Sequence, residues 1–203
     1  MPDSRTTFLA AADAYVAQVA AIPVSVLSGP GLGDWDLRSL VGHASRSLVT
    51  VDTYLDSPAR QIEVPDAPAY YLAIAGVGNA DPSAVVERGR QAGLALGDDA
   101  AGHVRALAAH VRDKLATYDD AYALTTIAGG MRLDEYLRTR IFELVVHGLD
   151  IAVACGVDPG FADEPLLDAA RLAAEVSVRS GRGATLVLAL TGRHRLPEGF
   201  SVV

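Results

Sequence analysis

Cysteine is nearly absent: Cys155 is the only one in 203 residues. A single thiol closes no internal disulfide, which excludes a secreted disulfide scaffold. Lysine is as scarce. Lys114 stands alone, so arginine supplies almost all of the 17 basic side chains, against 25 acidic ones and a net charge of −8. With that net negative charge and no basic run of five or more, the chain is a poor candidate for general nucleic-acid binding, because phosphate neutralisation needs clustered cations. No apolar stretch approaches the ~18 residues of a membrane span. The N-terminal MPDSRTTFLAAADAYV carries Asp3 and Asp13, which a signal peptide would not, so the expected compartment is a reducing cytoplasm.

What is present is apolar. Half of the residues are hydrophobic and 21% are charged, which excludes a disordered chain. The length is that of one to two domains and suffices for a core without a stapling disulfide or metal.

The apolar residues recur at helical spacing. Phe8, Leu9, Ala12, Tyr15, Val16 and Val19 predict a helix from about Ser4 to Ile22, ended by Pro23 and the SGPGLG loop. Asp36 is a natural N-cap for a second helix striped by Leu37, Leu40, Val41, Ala44, Leu48, Val51 and Leu55. Trp35, just before that cap, is placed to staple onto its first turn. Residues 58–82 hold four prolines and read as a long loop with one helical piece around Tyr70–Ala75. A third helical region spans about Ser83–Tyr118 with a break near Gly97–Asp99, and Leu124–Ile127 is β-like. A fourth helix runs from about Asp134 to Cys155 and stops at Gly156, and a fifth covers about Glu164–Ser180. The tail predicts a strand at Ala184–Leu190 with a short partner at Phe200–Val203. The expected fold is mainly α: a four-helix bundle over residues 1–160, with a short extra C-terminal helix and a small β appendage over 161–203 packed on it.

The fourth helix carries the chemistry. From Ile141 to Cys155 it reads IFELVVHGLDIAVAC, and its only ionisable polar residues, Glu143, His147 and Asp150, are spaced four and three apart on one face. Arg140 extends the stripe. The stripe is either a narrow solvent face or a set of groups pointed into the bundle centre. In the second case a Glu and a His one turn apart can share a metal ion, which offsets the cost of a buried carboxylate. A third ligand must then come from another helix, and His43, beside the stripe of the second helix, is the candidate. His103 and His110 on the third helix and His194 in the GRHR turn read as solvated. Cys155 reads as inert packing.

WDLRSLVGH at 35–43 and RTRIFELVVHGLDIAVACG at 138–156 together resemble the metal-binding domain of the mycothiol-dependent maleylpyruvate isomerase family, within the DinB-like four-helix bundle superfamily. The resemblance covers roughly residues 5–180. It implies a DinB-like bundle with zinc, or another divalent transition metal, on His43, Glu143 and His147, an open catalytic-type set. It also implies mycothiol as thiol cofactor. Asp150 would orient a ligand or simply be a polar residue near the helix end. Arg140 would form a salt bridge with Glu143 or Asp150, or bind a substrate carboxylate. Arg88, Arg90, Arg193 and Arg195 are further candidates for that last role. The segment LVLALTGRHRLPEGF resembles a short portion of the isomerase's C-terminal α/β domain.

The functional expectation is a zinc-binding, mycothiol-dependent enzyme of isomerase or thiol-transferase type. Its partners would be a small electrophile and a thiol, with no nucleic acid or membrane, in a monomer or homodimer. Two alternatives stay open. One is a metal-binding bundle without catalysis, in a structural or small-molecule-binding role. The other is a zinc-dependent hydrolase, with Asp150 or Asp52 as base.

Overall fold

Aspartates start three of the long helices. In the computed structural model, which describes residues 3–77 and 82–203, Asp3 accepts from Thr6 N–H at 2.7 Å, Asp36 from Ser39 at 2.8 Å and Asp99 from Gly102 at 2.8 Å. Each such cap satisfies an otherwise orphaned backbone donor and stabilises its helix by about 1 kcal/mol. The helices are α1 (Ser4–Ala21), α2 (Leu37–Leu55), α3 (Ala67–Val77), α4 (Pro82–Ala95), α5 (Ala100–Leu115), α6 (Leu133–Cys155), α7 (Asp163–Arg179) and α8 (Gly183–Leu190). Strands β1 (Ala123–Thr126) and β2 (Gly129–Arg132) form an antiparallel hairpin between α5 and α6.

The four-helix bundle is α1, α2, α5 and α6, with α1 and α2 each packed on both α5 and α6. Its core takes in most of the predicted stripes of α1 and α2, joined by α6: Phe8, Tyr15, Leu37, Leu40, Leu48, Leu55, Leu137 and Ile141 are all at most 1% exposed. The helical region expected over 83–118 is two helices, broken where expected. Gly97 turns with φ +65° and Asp99 restarts the helix. Gly156, at φ +71°, ends α6 as a left-handed cap. Of the proline-rich 58–82 loop, the helical piece is α3, and residues 78–81 lie outside the described residues.

The tail departs from expectation. Ala184–Leu190 is not a strand but lies in helix α8, packed on α7, and Phe200–Val203 forms no regular element. A strand needs a ladder partner, and among the described residues none is present for this segment. Its leucines and alanines favour helix once pairing is denied. The small β element is the 123–132 hairpin instead.

Two contacts position the site. Helices α2 and α4 meet at Gly42 and Gly93: a Cβ on Gly42 would lie 2.2 Å from Gly93 N. The chain leaving α2 also runs along the hairpin, where Ala59 N donates to Ala123 O and Glu63 N to Gly130 O, at 2.9 and 2.8 Å. The Thr126↔Gly129 register leaves Ile127 and Ala128 at the hairpin tip.

Candidate metal centre and adjoining pocket

His43 lies on α2 one residue after Gly42, so the close α2–α4 crossing sets its depth. Trp35 covers it, with ring centroids 4.5 Å apart, and is itself pinned by an Nε1 hydrogen bond to Val86 O at 2.9 Å. Gly89 leaves room for the indole, since a Cβ there would sit 2.4 Å from it. Trp35 thus reaches α4 and the site, beyond the first-turn staple the sequence suggests.

Glu143 and His147 lie one turn apart on α6, with Glu143 Oε2 and His147 Nε2 3.3 Å apart. The rings of His43 and His147 meet edge to face at 4.8 Å between centroids. One donor atom from each of His43, Glu143 and His147 falls within 4.8 Å of the others, a group that could hold a metal ion. The donor set fits a divalent transition metal. Bonds of about 2.0–2.1 Å in a tetrahedron place ligand atoms about 3.3 Å apart, the spacing the α6 pair already has. His43 Nδ1 is buried without a hydrogen-bond partner.

Each side chain is held in place. Tyr71 of α3 donates to Glu143 Oε1 at 2.9 Å and lies 3.2 Å from Thr139 O. Asp150 Oδ2 lies 3.1 Å from His147 Nδ1, which leaves Nε2 facing the centre. Burial opposes charge on His147, but Asp150 and Glu143 outweigh it and lift the imidazole to about 9. Burial also works against the Glu143 carboxylate. The hydrogen bond from His147, the charge of Arg140 and the Tyr71 hydroxyl overcome that and hold it at about 2. His43 goes the other way: burial, then the neighbouring His147 cation, push it down to about 4, so it is neutral at pH 7.

A pocket of 160 Å³ adjoins the centre. His43 and Glu143 are in its wall, with Arg46, Thr50, Tyr136 and Arg140. Ile74 of α3 and Ile127 of the hairpin tip complete it, so the segment expected as a loop over 58–82 does contribute to the pocket. Arg140 is only 8% exposed. Its guanidinium lies over the rings of Tyr136 and Tyr70, 5.1 and 5.6 Å from their centroids, and Nε donates to Thr139 Oγ1 at 3.0 Å. The salt bridge suggested with Glu143 or Asp150 does not form. Among the described residues no carboxylate comes within 4.0 Å of Arg140, because the two tyrosine faces draw the side chain toward the pocket.

The other candidates lie elsewhere. Arg88, Arg90, Arg193 and Arg195 are exposed, as are His103, His110 and His194. Asp52 is taken up by Lys114 at 2.8 Å and His110 at 3.0 Å. Cys155 Sγ donates to Ile151 O at 3.0 Å, one helical turn back. Nothing in the sequence singles out Tyr70, Tyr71 or Tyr136. Arg46 had a usable signal, since it lies three residues after His43 and therefore near the same helix face.

The chain matches the mycothiol maleylpyruvate isomerase N-terminal domain over residues 8–152. It belongs to that family. The match spans α1 to nearly the end of α6 and contains His43, Glu143 and His147. No curated protein and no solved structure matched in the corresponding comparisons. Among the described residues no helix is long and apolar enough to cross a membrane.

Proposed function

We propose that this member of the family is a zinc-dependent enzyme that uses mycothiol, or a closely similar thiol, against a small organic electrophile, as an isomerase or a thiol transferase. The observation that carries the reading is the convergence of His43, Glu143 and His147 in and beside the wall of one pocket. Two histidines and a carboxylate suit zinc, and three protein ligands leave a coordination position open.

When bound, such a cation supplies Lewis acidity, which lowers the pKa of a thiol at the open position into the neutral range. The chain's own residues prepare the place. His43, neutral at pH 7, offers a free nitrogen lone pair. Asp150 holds the Nδ1 proton of His147 and so aims Nε2. Tyr71 fixes one Glu143 oxygen and leaves the other toward His147. The pocket beside His43 and Glu143 receives the electrophile and narrows water access around it.

No protein nucleophile is required, in keeping with Cys155 bonded to its own helix. The hydrolytic alternative is disfavoured by the engagement of both proposed bases, Asp150 with His147 and Asp52 with Lys114. A thiol cofactor of this kind and a lone cysteine both suit a reducing cytoplasm.

Metal content of protein purified without a histidine tag tests the proposal. About one zinc per chain is expected in the wild type and less than a tenth of that in His147→Ala. Thiol-dependent loss of an electrophile should disappear with the metal. Wild-type protein that takes up no zinc after reconstitution sinks the reading.

A further inference from the structure

His43 differs from its two neighbours in what holds it. Glu143 has the Tyr71 hydroxyl and His147 has Asp150, but His43 Nδ1 is buried with no hydrogen-bond partner. A histidine at a metal ordinarily gives its second ring N–H to a carboxylate or a carbonyl, which sets the angle of the ring. Without that bond the torsion that turns the ring is soft, and the imidazole is free to swing away from the centre. What meets His43 instead is an aromatic face. The Trp35 indole lies with its centroid 4.5 Å from the imidazole and its plane inclined by 34°.

Trp35 is itself fixed at both ends. Its backbone closes a turn before α2: Trp35 N donates to Leu32 O at 3.0 Å, and Trp35 O accepts from Gly31 N at 2.9 Å. Its indole Nε1 donates to Val86 O of α4 at 2.9 Å, and Gly89 leaves the slot in which the ring lies. Helix α4 packs on α2 and carries none of the three candidate ligands.

We infer that Trp35 is a positioning residue for this centre. Anchored to α4, its indole holds the His43 imidazole in the orientation that meets Glu143 and His147, the part that Asp150 plays for His147 through a hydrogen bond. The inference takes the metal from the proposed function, but the hold on the ring exists without it. Helix α4 thereby shapes the centre without touching it, as the backing against which one ligand is aimed.

Three variants separate this from general packing. Trp35→Leu removes the ring face. Trp35→Phe keeps a face and loses the bond to Val86. Gly89→Ala alters neither ring, but its methyl, 2.4 Å from the indole, must displace it, while alanine favours the helical state of α4 itself. In zinc-free protein, NMR should find the His43 ring in one orientation, cross-relaxing with Trp35, the chain's one tryptophan. In Gly89→Ala and Trp35→Leu the ring should average between orientations. Competition with a chromophoric chelator should show zinc bound about tenfold more weakly by those two variants, and by Trp35→Phe within about threefold of wild type, since a ligand that loses its outer support loses affinity. The visible spectrum of bound cobalt should change in the same two variants. Glu87→Gln, exposed on α4, should change nothing. Should Trp35→Leu fail to fold, Gly89→Ala and Trp35→Phe still decide.

Zinc affinity and cobalt spectrum unchanged in Gly89→Ala, with only the melting temperature lowered, overturn the inference and leave the metal reading standing. A His43 ring that already averages in zinc-free wild type, or that stays fixed in every variant, overturns it as well. A ring fixed in wild type and freed in Gly89→Ala, in a protein that takes up no zinc, upholds the hold on His43 while the metal reading falls.

Discussion

Asp150 shows how little a residue needs to touch the reacting groups to matter. Among the described residues its carboxylate meets only Nδ1 of His147, yet that contact keeps a proton on Nδ1 when Nε2 gives its own up, and turns Nε2 toward Glu143 and His43. Asp150→Asn keeps the shape and removes the charge. It should lower zinc affinity about 10- to 100-fold, as loss of such outer partners does, with little change in melting temperature of the zinc-free protein beyond the lost ion pair. Competition with a chromophoric chelator measures it. Unchanged affinity would reduce Asp150 to an ordinary polar residue near the end of α6. The sequence allowed both readings because spacing puts Asp150 beside His147 without saying which way either side chain turns.

Elements were far more legible than the contacts between them. The apolar stripes of α1 and α2 marked core positions such as Phe8 and Leu40, and the caps at Asp36 and Gly156 marked helix ends, because these are local rules of period and hydrogen bonding. The tail defeated local reading, since LVLAL suits a buried strand or a short helix, and only the absence of a pairing strand decides. The clustering of His43, Glu143 and His147 was legible because two of the three share one helix face. The pocket was not, because Arg46, Tyr70, Tyr136 and Arg140 come together from three helices. Nor was the α2–α4 crossing, which depends on two glycines that look unremarkable in sequence. Gly42→Ala tests its weight. The added methyl would meet Gly93 backbone at 2.2 Å, with no flexible side chain to yield. Forcing α2 and α4 apart should destabilise the protein by about 2–3 kcal/mol, roughly 5–10 °C in melting temperature for a chain of this size, and weaken zinc binding because His43 follows Gly42. A stable variant with wild-type zinc affinity would show that the crossing does not set the site.

For the whole molecule, the two histidines make stability depend on pH in opposite directions. His43 sits at about 4 in the folded, metal-free protein, below its unfolded value of 6.5. The unfolded chain therefore binds more protons between pH 4 and 6.5, and stability rises with pH across that window. His147 sits at about 9, above 6.5. Its contribution is fully present below pH 6.5 and is lost as pH rises through 9, a loss on the order of 2–3 kcal/mol. The metal-free protein should accordingly be most stable near pH 6.5. Zinc bound as proposed would change the upper limb. A cation on Nε2 would displace the His147 proton, so zinc affinity should grow as pH rises from 7 to 9 while the competing proton leaves. An ion that binds only the folded chain would stabilise it in step with its affinity, by about 4 kcal/mol at a thousandfold excess over Kd. Thermal melts of zinc-free and zinc-loaded protein from pH 5 to 9 should therefore diverge, the first falling above pH 6.5 and the gap between them widening. Parallel curves, or a gap that narrows toward pH 9, would mean that His147 gives up no proton to the metal and is not its ligand.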